Sequence, residues 1–218
     1  MTLIFAFGPS TTYGASDLEG GWVQRLRRYL DEKQLADPNL YYVVYNLGVS
    51  GNTSTDILKR FVFETEQRIK LKDEQDEIIF LISVGVNDSI VNNRTKKHQV
   101  PLGTYAKNIT QLIQQASKYT SPSKIFFIGD KPVDESKVDP IPWRDDYSYL
   151  SAAVETYDTT CAAICKQKNI SFLDVYTPFK QQRNYQKLLL DGVHPTTEGY
   201  AFIFALLKDF LVKHKAIS

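Results

Sequence analysis

Asp191 and His194 stand three residues apart in the run L-D-G-V-H-P, in a turn that enters a stretch of helical periodicity. That spacing lets the carboxylate reach the imidazole Nδ1 and leaves Nε2 free. An ionised Asp then fixes the ring's tautomer and stabilises the imidazolium formed when Nε2 accepts a hydroxyl proton. Pro195 stiffens the turn. The chain has three histidines; His98 falls in a charged loop and His214 in the C-terminal tail, so His194 is the one with a carboxylate partner of this kind. A hydroxyl for it to activate is offered by Ser10, which follows a glycine in F-G-P-S-T-T-Y-G. Acyl transfer also needs donors aimed at a developing oxyanion. Gly48, in N-L-G-V-S-G-N-T, offers a backbone N–H unshielded by a Cβ, and Asn87, in S-V-G-V-N-D, offers a side-chain amide.

These residues need a scaffold that brings them together. Thr2–Phe7, Tyr41–Asn46, Glu77–Val84, Lys124–Ile128 and Ile170–Asp174 are short runs rich in Ile, Val, Phe and Tyr, and their nearly continuous apolar character predicts parallel strands covered on both faces. Helical patterns alternate with them: Trp22, Leu26, Tyr29 and Leu30; Ile57, Leu58, Phe61 and Val62 behind a Thr53-to-Asp56 capping pattern; Tyr105, Ile109, Leu112 and Ala116; Leu150, Val154, Tyr157, Cys161 and Ile164; and Tyr200, Ile203, Phe204, Leu207 and Leu211. Five strands alternating with five helices predict one α/β domain over residues 1–218, with right-handed crossovers. Ligands bind such sheets beyond the carboxyl ends of the strands, where Ser10, Gly48, Asn87 and the D-x-x-H turn are all expected. Lys131–Asp146, with Pro132, Pro140, Pro142 and Trp143, is too proline-rich for a helix and is expected to be either a wall of the pocket or a surface excursion.

Composition excludes several classes. With 26 Lys+Arg, 25 Asp+Glu and a formal net charge of +1, the chain has no basic surface of the kind that neutralises phosphates, so nucleic acid is not expected as a partner. Its longest apolar stretch, Ile78–Val86, falls far short of the ~18 residues of a membrane-spanning helix. Met1–Phe7 lacks a basic n-region and a cleavage site and reads as a strand. Two cysteines make no disulfide framework, and a reducing cytoplasm is the expected compartment. Cys161 and Cys165 match the apolar face of a helix better than a metal site. Neither G-x-G-x-x-G nor G-x-x-x-x-G-K-[ST] follows the first strand, which speaks against a nucleotide. Asp88 and Asp130 are second-rank candidates for the site. The sequence does not specify an oligomeric state.

Four ordered blocks carrying Ser10, Gly48, Asn87 and His194 resemble those of the SGNH hydrolases, also called the GDSL family of lipases and acylhydrolases. The resemblance spans residues 7 to 195. It implies a three-layer α/β/α sandwich with a flavodoxin-like, five-stranded parallel sheet, and a serine esterase without cofactor or metal acting on a small-molecule, acetyl or lipid-type ester. Ser10 would be the nucleophile and one oxyanion donor, Gly48 and Asn87 the other donors, and Asp191 with His194 the rest of the triad. The sequence departs from the family's G-D-S block at one place: Pro9 stands where the family has Asp. The α/β-hydrolases share the order Ser, Asp, His but need G-x-S-x-G; the near miss, Gly48 to Asn52, makes Ser50 a weak competitor. A non-catalytic ligand-binding protein of the same fold is the competing functional reading, and a flavodoxin-like nucleotide binder a distant third.

Overall fold

The structure is a computed structural model that describes residues 1–70 and 72–217. Its elements, in chain order, are β1 (Thr2–Gly8), α1 (Ser10–Tyr13), α2 (Gly21–Ala36), β2 (Tyr42–Gly48), α3 (Ser54–Arg68), β3 (Glu77–Ile82), β4 (Val91–Asn92), α4 (Leu102–Ala116), β5 (Ile125–Ile128), α5 (Glu135–Val138), β6 (Tyr147–Ser148), α6 (Ser151–Gln167), β7 (Ser171–Leu173), α7 (Tyr176–Lys180) and α8 (Thr197–Lys213).

Five of the strands form one sheet in the order β2-β1-β3-β5-β7. Every neighbouring pair in it is parallel. The alternation of side chains along each strand sorts the core into two layers. Leu3, Phe5 and Phe7 of β1 and Ile78, Phe80 and Ile82 of β3 face α3, α4 and α6, whose Phe61, Tyr105, Leu112 and Tyr157 complete that cluster. Ile4, Ala6, Ile79 and Leu81 face the other way, against Trp22 and Leu26 of α2 and Ile203 and Leu207 of α8. Both faces are covered, which is why these strands read as continuous apolar runs. The three-layer α/β/α sandwich with a five-stranded parallel sheet is thus present. The capping pattern ahead of α3 is also formed: the Thr53 N–H donates to Asp56 Oδ2 at 3.0 Å and the Thr53 hydroxyl to the same oxygen at 2.7 Å.

Register brings the functional loops together. Gly8 pairs with Gly48 and Phe7 with Ile82, so β1, β2 and β3 end level and release their following loops at one edge.

Two features differ from expectation. Lys131–Asp146 is not free of helix, because Glu135–Val138 makes one turn between Pro132 and Pro140, where no proline ring interferes. The segment then returns through β6, which pairs antiparallel with β4 and fastens the loop to the end of β3's connection. Both strands are two residues long, too short for a periodic signal.

Candidate active site

The position of Ser10, the expected nucleophile, follows from a tight strand-to-helix turn. Gly8 ends β1 where a Cβ would lie 2.0 Å from Thr12 Oγ1, so no larger residue fits without rebuilding α1. Pro9 is the N-cap of α1, and its carbonyl accepts from the N–H of Thr12 and of Tyr13, both at 3.0 Å. An N-cap residue's own N–H lies outside the helical ladder, so proline costs α1 no hydrogen bond there. Ser10 is the first helical residue, with an N–H that has no intrahelical acceptor. Its Oγ lies 2.8 Å from His194 Nε2.

His194, the expected base, is held by its own turn. Asp191 Oδ1 accepts from the N–H of Val193 at 2.9 Å and of His194 at 2.8 Å, while Oδ2 lies 2.6 Å from His194 Nδ1. Gly192, at φ +95°, lets the chain turn this sharply. Burial pushes the Asp191 carboxyl up, but the imidazole and the two N–H groups outweigh it and hold the group well below the usual carboxylate range. Asp191 is therefore an anion throughout the neutral range, and the proton between the two residues belongs to Nδ1.

Asn87 is locked in orientation. Tyr149 donates its hydroxyl to Oδ1 at 2.9 Å, and Nδ2 donates to the Asn52 carbonyl at 2.9 Å, which leaves the second amide hydrogen for a ligand. Asn87 lines a cleft of about 350 Å³ together with Ser10, Ser50, Gly51, Trp143, Tyr149 and the Asp191–His194 pair.

Gly48 is not among these residues. Its N–H donates to Asn46 Oδ1 at 3.0 Å, and a Cβ on it would lie 2.1 Å from the Tyr13 nitrogen. This glycine is required by the close approach of β2 to α1. Gly48→Ala is expected to destabilise the fold by about 3 kcal/mol, because only backbone atoms could move aside; urea denaturation measures it. The glycine that faces the cleft is Gly51, at φ +80° with open space where a Cβ would be. Among the described residues its N–H has no acceptor. The S-G-N-T run was visible in the sequence, but spacing alone does not tell which of two glycines three apart turns its N–H outward.

Tyr149 and Asn52 were likewise missed, since neither follows a strand with any pattern of its own. Trp143 walls the cleft, as the proline-rich segment allowed, whereas Tyr13 is exposed outside it. Asp88 is fully buried and accepts from the Ser54 N–H at 3.0 Å, so it holds the start of α3 against the end of β3 and not the substrate. Burial pushes its carboxyl up to about 7 against the bonds from Ser54. His98 Nδ1 pairs with the Ser89 carbonyl and His214 Nδ1 with that of Phe210, both away from the cleft. Cys161 and Cys165 are free thiols in the α6 core.

The GDSL-like Lipase/Acylhydrolase family matches residues 6–202. Human isoamyl acetate-hydrolyzing esterase 1 homolog is 24% identical over 220 residues, covering 96% of this chain and 81% of its own. A GDSL esterase/lipase of Arabidopsis thaliana is 27% identical over 208 residues, covering 92% and 82%. The crystal structure of a lipase/acylhydrolase from Enterococcus faecalis superposes with a TM-score of 0.72 at 20% identity, covering 97% and 95% of the two chains. An acetylxylan esterase from Geobacillus stearothermophilus does so at 0.68 and 21%, covering 98% and 93%. No helix among the described residues is long and apolar enough to cross a membrane. By the family match over nearly its whole length, this chain belongs to the GDSL-like lipases and acylhydrolases and is a hydrolase of ester bonds.

Proposed function

We propose that the chain cleaves small esters with short acyl groups through a Ser-His-Asp triad and an acyl-enzyme. The observation that carries this is the unbroken relay from Ser10 Oγ through both imidazole nitrogens to Asp191, with contacts of 2.8 and 2.6 Å. His194 Nε2 takes the hydroxyl proton as Ser10 Oγ bonds to the ester carbonyl carbon. The oxyanion is received by the N–H groups of Ser10 and Gly51 and by Asn87 Nδ2; Gly51 takes the role first expected of Gly48. Collapse breaks the bond to the alcohol, which leaves with the proton from His194. Water then repeats the sequence on the acyl-enzyme and releases the acid. No cofactor enters these steps.

Short acyl groups are favoured by a cleft with small residues, Ser50 and Gly51, beside the nucleophile and Trp143 and Tyr149 as its large walls. Relatives named for acetate and acetylxylan esters agree with that choice. The near-neutral charge balance fits an uncharged ester. The cytoplasm is the proposed compartment, on the two buried free thiols.

A fluorophosphonate probe followed by peptide mapping tests the nucleophile. The expected adduct is on Ser10; an adduct on Ser50, or none, sinks the mechanism. A p-nitrophenyl ester series from acetate to decanoate tests the acyl preference, which fails if decanoate is the better substrate. Asn87→Ala is expected to lower kcat by about 10²–10³-fold with little change in KM, as loss of one oxyanion donor does.

A further inference from the structure

The amide of Asn87 reaches the cleft from the loop after β3, and a carboxamide serves an oxyanion only when its N–H is aimed at it. The Asn52 carbonyl decides which end of the amide faces it: a carbonyl can only accept, so it takes Nδ2, at 2.9 Å. That single bond leaves the amide plane free to swing, because the terminal torsion of an Asn side chain is broad. A second bond, from the Tyr149 hydroxyl to Oδ1 at 2.9 Å, grips the opposite end. With both made, the plane is fixed and the remaining Nδ2 hydrogen has one direction, in a side chain that lines the cleft with Ser10.

Tyr149 is itself held in place. It follows β6 directly, and the pairing of Ser148 with Val91 joins that strand to β4, a short way beyond Asn87 in the chain. The Tyr149 N–H donates to the Val138 carbonyl at 3.1 Å, and the neighbouring Ser148 hydroxyl donates to Asn93 Oδ1 at 2.9 Å. The residue is 7% exposed, in an apolar cluster with Val86, Ile90, Val138 and Ile141. Burial pushes its hydroxyl further above the ordinary tyrosine range, so it keeps its proton and remains a donor. Donor and acceptor thus sit on two segments that β4 and β6 fasten together.

We infer that Tyr149 is a positioning residue for ester hydrolysis, whose hydroxyl fixes the Asn87 amide plane so that Nδ2 is aimed at the oxyanion. Its bond to Oδ1 also draws electron density from Nδ2, which makes that N–H the stronger donor. Both effects matter most when charge develops on the carbonyl oxygen, and much less for the neutral ester as it binds. Loss of the hydroxyl therefore falls on kcat and not on KM. The inference rests on the oxyanion role proposed above for Asn87.

The test is a double-mutant cycle on the full chain with p-nitrophenyl acetate, comparing wild type, Tyr149→Phe, Asn87→Ala and the pair together. Tyr149→Phe keeps the ring and removes the hydroxyl. It is expected to lower kcat about tenfold, less than outright loss of an oxyanion donor because a loosened amide still contributes, with KM changed less than about twofold. In the Asn87→Ala background the same substitution is expected to change kcat by less than about twofold, since no amide is left to aim. A merely structural tyrosine would instead repeat its full loss there. That repetition, an unchanged kcat, or a loss confined to KM would overturn the proposal. If Tyr149→Phe does not fold, a crystal structure of the wild-type chain carrying the fluorophosphonate adduct on Ser10 answers instead. A phosphoryl oxygen bonded to Asn87 Nδ2, with the Tyr149 bond to Oδ1 kept, supports the proposal, and an amide that has left Tyr149 overturns it. Asn87→Ala separates the two failures: full activity there removes the oxyanion role and the proposal with it, whereas a normal loss beside an unaffected Tyr149→Phe overturns the proposal alone.

Discussion

Ser10→Ala is expected to lower kcat for p-nitrophenyl acetate by about 10⁴–10⁶-fold with KM nearly unchanged. The whole loss falls on the step in which the hydroxyl oxygen becomes a bond to the acyl carbon, for which alanine has no substitute. The fold is expected to survive, because alanine is a good residue at a helix start and the substitution leaves the Pro9 carbonyl's bonds to Thr12 and Tyr13 in place. Residual turnover above background would come from the oxyanion donors, which remain. A variant that keeps more than about 1% of the activity would contradict the assignment and turn attention to Ser50, the other serine close enough to Gly51 to share its donor.

Asp191→Asn is the second large effect, expected at about 10⁴-fold in kcat. An Asn side chain retains a carbonyl oxygen for the Val193 and His194 N–H groups, so the turn can persist. Its amide then faces Nδ1, and two donors cannot share that contact. The imidazole must take the other tautomer, with its proton on Nε2, where it can no longer accept from Ser10. The Asp191 carboxyl is held well below the usual carboxylate range, so it stays ionised across the neutral range. The same depression contributes stability that is present above the unfolded-state value of about 3.9 and lost as pH falls through the folded one. Urea melts of wild type and variant should therefore draw together as pH falls below about 3.9; a separation that does not shrink there would show that the carboxylate's charge is not the cause.

The sheet was readable in the sequence because its strands are buried on both faces and so advertise themselves as apolar runs, Glu77–Ile82 most plainly. Ser10, Asn87, Asp191 and His194 were readable because they sit in short runs beside strong elements: Ser10 opens α1, Asn87 lies in the loop after β3, and Asp191 and His194 lie in the turn ahead of α8. Gly48 and Gly51 show where this stops. Gly48 ends β2 and Gly51 lies in the loop three residues on, and the difference lies in what approaches them: Tyr13 comes against one from a distant turn, and nothing comes against the other. Tyr149 is of the same kind. Its bond to Asn87 depends on β4 and β6 closing a loop, and none of that is encoded in neighbouring residues.

Ser10 and His194 are 184 residues apart, on the first turn and just ahead of the last helix. At a synthesis rate of roughly 5–20 residues per second, Ser10 waits about 10–40 seconds for its proposed base to be made. On the proposed triad, hydrolytic competence is expected only once α8, which packs on α2, has brought His194 to Ser10. Catalysis is in this sense a report on completed assembly. In refolding experiments the return of esterase activity should track the burial of Trp22 beneath α8, with no earlier partial recovery.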